Sequence, residues 1–212
     1  MYTNIINTKK LLLIFSILLI CILLINEIYC NNKEDIIIDS HMTFAESIEG
    51  TKAPDSIIKN LTLLTVEYYS FDNKLHQGQI VIHKDLSNDI KEIFNFIKKI
   101  KFPIQEVIPI VRYNWNDSLS MAKNNTSAFN YRVVSGTNRL SKHSSGRAID
   151  INPFQNPFLS KSKRITPIGA KYNKKAAGTL YSTHEIVTIL KNKGWKWGGD
   201  WTSIKDWQHF EK

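Results

Sequence analysis

The stretch SKHSSGRAIDINP occupies residues 141–153 and joins a loop to the start of an apolar, strand-like run. His143 lies seven positions before Asp150, and Gly146 and Ala148 keep the space between these two residues uncrowded. Two interpretations are open. In the first, the stretch is a loop that runs into a strand, with no special role for either residue. In the second, His143 and Asp150 are two ligands of a metal ion and a third ligand lies elsewhere.

The C-terminal stretch DWQHFE offers a candidate for the missing ligand. Asp206 and His209 are three residues apart, so one helical turn or a tight bend would let them face a common point. Catalytic zinc takes three protein ligands and leaves the fourth position to water. His143, Asp150 and His209 would form such a set, with Asp206 as the base that accepts a proton from the water. Each half of the pattern is weak when it is taken alone.

Three motifs taken together resemble a known family. SKHSSGRAIDINP, KWGGDW and KDWQHFE follow one another in this order. They resemble the zinc D-alanyl-D-alanine carboxypeptidases and related peptidoglycan endopeptidases, a group that includes VanX-type dipeptidases, L-alanyl-D-glutamate endolysins of phages and the zinc domain of hedgehog proteins. The resemblance extends from about Leu61 to Lys212. It implies an α+β fold with a small antiparallel sheet and flanking helices, one zinc ion, and hydrolysis of a peptide bond at a D-amino acid.

The resemblance also implies roles for individual residues. The pattern SxHxxGxAxD makes His143 and Asp150 the first two zinc ligands, and the final His of DxxH makes His209 the third. Asp206 takes the acid/base position, where some branches of the family have Glu. Arg132 in FNYR matches the arginine that steadies the substrate carbonyl oxygen or its oxyanion, a task suited to a fixed cation. A surface salt bridge is the alternative for Arg132.

Three further residues are candidates for substrate binding. Ser141 matches a position that often touches the substrate, although a hydroxyl that caps the loop is an equal alternative. The match to GGDW makes Trp197 and Trp201 the tryptophans that we expect to line the cleft. The other tryptophans of the C-terminal region are expected to fill the core beneath the site.

The N-terminus has the pattern of a targeting segment. Lys9 and Lys10 precede an unbroken apolar run, Leu11–Ile25, whose fifteen residues suit the apolar region of an export signal and are short for a membrane span. Cleavage near Tyr29 and Cys30 would be poorly formed because Tyr29 is bulky, so an uncleaved N-terminal membrane anchor stays open. In either case the remainder is expected in the periplasm, the cell envelope or outside the cell.

The chain is expected to divide into three parts. Residues 1–30 form the signal peptide or anchor, residues 31–55 a polar linker or arm, and residues 56–212 the zinc peptidase domain. Within that domain LLTVEYYSF and GQIVIHK predict two strands of a hairpin, and EVIPIVRY predicts another short strand. Strands and helices mix without a regular βαβ alternation, which favours an α+β fold.

Two stretches predict helices. In NDIKEIFNFIKKI, apolar residues recur at helical spacing until Pro103 stops the pattern. In STHEIVTILKNKG, Ser182 and Glu185 predict a capping box and Gly194 the end of the helix. His184 would then be exposed in the first turn, with no role in metal binding.

Cysteines and charge narrow the function classes. Both cysteines, Cys21 and Cys30, lie in the first thirty residues, so the folded part has no disulfide, no cysteine zinc site and no cysteine nucleophile. The net charge is +9, and residues 31–212 keep 26 basic and 18 acidic residues. This excess indicates either a lysine-rich soluble surface or attraction to an anionic polymer. The lysines are scattered without a long basic run, which argues against nucleic-acid binding.

The predicted function is that of a D-alanyl-D-alanine carboxypeptidase. The protein would be a monomer that binds one zinc ion and trims the peptidoglycan stem peptide. One alternative is an endopeptidase that cuts an L-alanyl-D-glutamate bond or a cross-link. Another is a non-catalytic module that binds the wall and keeps zinc as a structural element, although the carboxylate at Asp206 speaks against it.

Overall fold

The computed structural model of the chain describes residues 10–15, 17–21 and 35–212. Residues 10–15 and 17–21, which belong to the predicted targeting segment, are helical. Among the described residues, none of the helices combines the length and the apolar character that a membrane crossing requires. The rest of the predicted signal or anchor, and the start of the predicted arm, lie outside the described residues.

Residues 36–212 belong to one unit in which short helices and strands alternate irregularly. The helices are α1 (Phe44–Ser47), α2 (Asp55–Ile58), α3 (Ser87–Lys99), α4 (Asp117–Ala122) and α5 (Glu185–Asn192). The strands are β1 (Ile37–Ile38), β2 (Leu61–Tyr69), β3 (Leu75–His83), β4 (Ala148–Asp150), β5 (Phe158–Leu159), β6 (Ile165–Thr166), β7 (Lys196–Trp197), β8 (Lys205–Asp206) and β9 (His209–Glu211). Short 3₁₀ turns lie at Lys84–Leu86, Ile110–Tyr113, Lys142–Ser145 and Gly198–Asp200.

The strands of the described chain form three small sheets, with the orders β1-β3-β2, β4-β9-β7 and β6-β5-β8. Within these sheets only the pairing of β1 with β3 is parallel, and the other strand pairs are antiparallel. Small antiparallel sheets flanked by helices confirm the predicted α+β class.

The predicted hairpin is present. Strands β2 and β3 pair antiparallel along their whole length, from Leu61 opposite His83 to Tyr69 opposite Leu75. The connecting loop is shorter than the sequence indicated, because Leu75, His76 and Gln77 join β3. Helix α3 follows and packs against β2 through the predicted apolar stripe, whose members are at most 2 % exposed: Ile90, Ile93, Phe94 and Ile97.

Helix α5 begins later than the capping box predicted. Its N-cap is His184, whose Nδ1 accepts a hydrogen bond from the backbone N–H of Ile186 at 3.2 Å. The His184 ring is half-buried and meets Phe102 edge-on, with ring centroids 5.1 Å apart. This ring packing stabilises the turn before the helix, so that the N-cap is His184 and not the predicted Ser182.

The stretch EVIPIVRY does not form the predicted strand. It makes one isolated bridge, between Glu106 and Asn125, and then a 3₁₀ turn over Ile110–Tyr113. Pro109 precedes the turn and has no N–H to donate to a strand ladder. Asn114, in the left-handed region with a φ of 53°, ends the turn.

The described part of the predicted arm carries secondary structure of its own. Strand β1 pairs with β3, and Gln79 of β3 holds the chain beyond it. The Gln79 side chain accepts hydrogen bonds from the Ser40 hydroxyl and the Met42 N–H, at 2.8 and 2.6 Å. Thr43 and Glu46 then form a reciprocal capping box around α1. These contacts use polar side chains, so the stretch shows no apolar periodicity in the sequence.

Strand β9 is the central strand of the second sheet and pairs with β4 on one side and β7 on the other. The register of β4 and β9 sets Ile149 opposite Phe210 and Asp150 opposite His209. Ile149 and Phe210 are completely buried in the core on one face of the pair. Because side chains alternate along a strand, Asp150 and His209 point to the opposite face. On the other edge of β4, Ser127 exchanges two backbone hydrogen bonds with Asp150.

Replacing Gly146 with Ala is expected to destabilise the folded protein strongly, because Gly146 packs against the β2–β3 hairpin. Gly146 has a φ of +65°, and a Cβ there would lie 2.6 Å from Leu61 Cδ2 and 2.8 Å from the backbone N of His83. Left-handed backbone and overpacking together predict a loss of about 2–4 kcal/mol in the free energy of unfolding, measurable by denaturant titration.

Gly136 provides the matched control, because its φ is +75° and a Cβ there would meet nothing within 4 Å. Gly136→Ala should therefore lose only the backbone contribution, about 1–2 kcal/mol. Equal losses in the two variants would contradict the close approach of Gly146 to the β2–β3 hairpin.

Candidate metal centre

Three local structures bring the predicted ligands together. His143 lies in the 3₁₀ turn Lys142–Ser145, Asp150 ends β4 and His209 begins β9. The turn starts at Ser141, whose hydroxyl accepts a hydrogen bond from the His143 N–H at 3.3 Å. It ends at Gly146, whose left-handed conformation turns the chain into β4.

The donor atoms of the three side chains converge on one point. His143 Nε2 lies 3.2 Å from His209 Nδ1 and 3.2 Å from Asp150 Oδ2. His209 Nδ1 lies 3.0 Å from Asp150 Oδ1. All three residues are buried, with 3 to 7 % of their surface exposed. The structure thus places two imidazole nitrogens and one carboxylate within 4.8 Å of one another.

The outer nitrogen of each imidazole also has a partner. His143 Nδ1 lies 2.5 Å from the backbone oxygen of Ala128, and His209 Nε2 lies 3.2 Å from a carboxylate oxygen of Glu211. Histidines that bind metals usually donate their second N–H to a carbonyl or carboxylate, which fixes the ring and its tautomer. Both rings therefore have the support that is typical of metal ligands.

The electrostatics of the cluster favour a cation. Burial would raise the pKa of the Asp150 carboxyl, but the adjacent imidazoles of His143 and His209 hold this pKa well below its usual range. Burial would lower the pKa of His209, whereas its hydrogen bonds to the Asp150 and Glu211 carboxylates raise it to about 10. The hydrogen bond to His209 in turn lowers the pKa of Glu211. The carboxylates thus stay ionised and stabilise positive charge between them.

The donor set fits a divalent metal of the zinc type. Bonds of about 2.0–2.1 Å in a tetrahedral site separate neighbouring ligand atoms by about 3.3–3.4 Å. The observed separations of 3.0–3.2 Å are close to that value. Two imidazoles and one carboxylate are also a ligand set that catalytic zinc uses with an open fourth position. His143, Asp150 and His209 could therefore hold one metal ion.

Asp206 lies beside this cluster on β8. Its Oδ1 is shielded from solvent and has no hydrogen-bond partner among the described residues. Burial raises the pKa of Asp206 to about 6, against the opposing effect of the His209 charge. A shielded oxygen with no partner is costly. Its position next to the cluster marks Asp206 as a group that would contact a water molecule or a substrate.

The two glycines of KWGGDW allow close packing, of Gly198 against Asp206 and of Gly199 against Trp197. A Cβ on Gly198 would lie 2.5 Å from the backbone oxygen of Asp206, and a Cβ on Gly199 would lie 2.3 Å from the Trp197 ring. A larger residue at position 198 would push the 3₁₀ turn Gly198–Asp200 away from β8, and one at position 199 would displace the Trp197 ring. The motif thus has a packing reason as well as a sequence match.

Arg132 is joined to the His143 turn through its backbone. The Arg132 N–H donates to the Ser144 hydroxyl at 2.9 Å, and its carbonyl accepts from the Ser141 N–H at 3.0 Å. Its Nη2 forms an ion pair with Asp117 at 3.0 Å, with both side chains about 30 % exposed. Its Nε is shielded from solvent and has no partner in the described part of the chain. Arg132 is thus held by a carboxylate and still has an unused donor.

The three residues expected to bind substrate lie in different environments. Ser141 is 8 % exposed and caps the His143 turn, which is the alternative that the sequence left open. Trp197 differs from its expected place at the cleft: it is 3 % exposed, belongs to the hydrophobic core and donates its Nε1–H to the Trp207 carbonyl. Trp201 is half-buried, with its ring centroid 5.5 Å from that of His209.

Two supporting residues were not singled out from the sequence. Glu211 contacts His209, and its signal was available, because residues two apart on a strand share a face. Asp117 forms an ion pair with Arg132 although it lies fifteen positions earlier in the chain, and no local sequence pattern predicts such a pair.

A cavity of about 670 Å³ lies elsewhere in the unit. It is lined by the chain around β1 and by residues of the Ile110–Tyr113 turn, and its lining contains none of the three converging side chains.

Residues 135–212 match the family model described as D-alanyl-D-alanine carboxypeptidase. This match supports the resemblance that the three motifs indicated, over a shorter span than the motif resemblance covered. His143, Asp150, Asp206 and His209 lie inside the matched span, and Arg132 precedes it. No solved structure matches the chain.

Replacing Glu211 with Gln is expected to weaken metal binding without unfolding the protein. The neutral amide supports the His209 ring less well than the carboxylate does, and losses of such outer contacts lower metal affinity by about 10- to 100-fold. Zinc affinity can be measured by competition with a chromophoric chelator. Glu185→Gln, at an exposed position on α5, is the matched control. Equal affinities in the two variants would show that Glu211 does not support the site.

Proposed function

We propose that the chain, whose residues 135–212 match the D-alanyl-D-alanine carboxypeptidase family model, is a zinc-dependent peptidase of that family and removes a terminal D-alanine from peptidoglycan stem peptides. The single observation that carries the proposal is the convergence of His143, Asp150 and His209 within 4.8 Å beside Asp206, which has a shielded and unpartnered oxygen. A purely structural cluster would not need that oxygen.

The residues of the chain would divide the reaction between them. His143, Asp150 and His209 would hold one zinc ion, which when bound supplies Lewis acidity that makes a water molecule acidic near neutral pH. Asp206 would accept a proton from the attacking water at Oδ1 and later return it to the leaving amine. The Arg132 guanidinium would stabilise the negative charge that develops on the carbonyl oxygen. This sequence needs no covalent intermediate between enzyme and substrate.

Three supporting groups would keep this machinery in place. Asp117 would hold the Arg132 guanidinium through the 3.0 Å ion pair, and Glu211 would orient His209. Trp201, whose ring lies next to that of His209, would border the bound peptide. Positioning of this kind matters because small misplacements of reacting groups are costly in rate.

The proposed substrate lies outside the cytoplasmic membrane, and the N-terminal sequence supports delivery there. Lys9 and Lys10 followed by the apolar run Leu11–Ile25 are typical of an export signal or an N-terminal anchor. We therefore propose that the enzyme acts in the periplasm, the cell envelope or outside the cell; that it acts as a monomer is a separate proposal.

Defined muropeptides with and without a terminal D-alanine test the proposal directly. The zinc-loaded protein should release free D-alanine, the chelator-treated protein should not, and the product masses identify the bond. Cleavage inside the stem or at a cross-link would replace the carboxypeptidase assignment with the endopeptidase alternative. Binding of wall fragments without any turnover would favour a non-catalytic module.

Replacing Asp206 with Asn is expected to lower kcat by about 10²- to 10⁴-fold, the range typical of a lost general acid/base. Zinc affinity should stay close to that of the parent, because Asp206 contributes none of the three converging donor atoms. Steady-state kinetics on the defined muropeptide and zinc titration measure the two quantities separately. The control is Asp200→Asn, at an exposed carboxylate in the adjacent turn that pairs with Lys191. Full activity in a zinc-loaded Asp206→Asn protein would refute the proposed role.

Replacing Arg132 with Lys is expected to lower kcat by about 10²-fold with a small change in KM, because the shorter cation loses the forked donors that face developing charge. Arg139→Lys makes the same change at an exposed position seven residues later and should leave kcat unaltered. A loss confined to KM would instead indicate that Arg132 only binds substrate.

A further inference from the structure

Positive charge is concentrated in one segment of the chain. Residues 36–212 contain 25 basic and 16 acidic residues, a net charge of +9. Residues 151–184 contain no acidic residue and account for +6 of this charge. The six basic side chains are all exposed: Lys161, Lys163, Arg164, Lys171, Lys174 and Lys175. The remainder of the unit is therefore nearly balanced.

None of these six cations has a counter-charge among the described residues, and residues 151–184 contain no acidic side chain that could supply one locally. Several basic side chains elsewhere form ion pairs at 2.5–3.0 Å, namely Lys98 with Glu67, Lys191 with Asp200, Lys193 with Glu92, Lys212 with Asp89 and Arg132 with Asp117. None of the six forms an ion pair with any residue that the structure describes. Their charge is thus available to a partner.

The first three cations lie at the tip of a hairpin that is joined to the strand carrying Asp206. Strand β5 pairs with β8 so that Phe158 lies opposite Asp206. Beyond this pair the chain turns between β5 and β6, with the Ser160 N–H bonded to the Arg164 carbonyl at 3.0 Å. The turn holds Lys161, Lys163 and Arg164.

The other three cations flank Tyr172. The Tyr172 ring packs against Trp207, the residue that directly follows Asp206. The Tyr172 ring stacks on the Trp207 ring, with centroids 3.9 Å apart and planes 7° from parallel. The Tyr172 hydroxyl donates to the Leu180 carbonyl at 2.8 Å, which holds the ring from its other end. Lys171 and Lys174 are therefore anchored close to position 207, directly after Asp206.

Two basic groups that are separate in the sequence are thus attached to consecutive residues, 206 and 207, at the proposed reaction centre. We name residues 160–175 the cationic lobe. One or two cations are enough to bind the single carboxylate of a stem peptide. Six cations, three in the β5–β6 turn and three around Tyr172, match a partner with many negative charges in a row. We propose that the cationic lobe binds a phosphodiester polymer attached to peptidoglycan and so holds the enzyme next to its peptide substrate.

Other polyanionic partners fit the surface less well. A membrane-binding surface combines its cations with several exposed apolar side chains, but the lobe exposes only Ile165 and Ile168 among its large apolar residues. Single-stranded nucleic acid is held by aromatic rings that stack on the bases, and the Tyr172 ring is already stacked on Trp207. A polymer attached to the same peptidoglycan that carries the stem peptide would also account for the position of the lobe beside Asp206.

This inference rests on the proposed function, but binding of the polymer to the cationic lobe can be measured without catalysis. The full-length protein would be cosedimented with peptidoglycan carrying poly(glycerol phosphate) chains and with the same material after chemical removal of these chains. The lobe variant replaces four lysines with glutamine: Lys161, Lys163, Lys174 and Lys175. The control variant makes the same change in charge at exposed lysines elsewhere: Lys52, Lys59, Lys74 and Lys91.

The parent and the control variant should bind the polymer-bearing material equally, and the lobe variant about tenfold more weakly. Raising the salt from about 50 to about 200 mM should release the parent and affect the lobe variant less, since fewer counterions are displaced. Thermal unfolding of all three proteins establishes that the variants fold.

Equal binding of the lobe and control variants would overturn the proposal, as would undiminished binding to peptidoglycan stripped of its polymer. Lobe-dependent binding to anionic lipid vesicles, without binding to the polymer, would overturn it in favour of a membrane. Polymer binding by a protein that cleaves no muropeptide would support the lobe and count against the peptidase assignment alone.

Discussion

The antiparallel pairing of β4 with β9 is the constraint on which the rest of the site depends. It sets Asp150 directly opposite His209, while Ile149 and Phe210 fill the core on the reverse face. A slip of one residue would send the apolar pair to the polar side and the two ligands into the core. The hydrophobic effect therefore selects the same register that brings the donor atoms together, so that stability and ligand geometry have one common cause.

Much of the fold and the donor set could be predicted from the sequence, because both leave local or motif-level patterns. The stripe from Ile90 to Ile97 has helical spacing, and the β2–β3 hairpin alternates as half-buried strands do. His143 and His209 were found through separate short motifs that are weak alone and specific in combination. What the motifs could not give is the partner of each outer imidazole nitrogen, since a backbone carbonyl such as that of Ala128 has no sequence signature.

The remaining differences arise where tertiary packing outweighs local preference. Trp197 belongs to a motif near the site, yet its large apolar ring is stabilised more by the core, where Gly199 lies against it. Ser182 is a good capping residue, but packing of the His184 ring against Phe102 moves the helix start. The charge of the cationic lobe can be read from the sequence, but its position cannot, because only the fold attaches its two halves to the consecutive residues Asp206 and Trp207.

The long separation of the ligands has a consequence for how the protein matures. His209 is 59 residues from Asp150 and 66 from His143, so a partly synthesised chain that lacks β9 offers only two of the three donors. Metal capture of useful strength must then await the docking of the last strand, because ligand binding and folding are coupled. Occupancy of the proposed metal site would thus depend on a complete chain, because copies that lack β9 or pair it out of register would not bring the third donor to the other two.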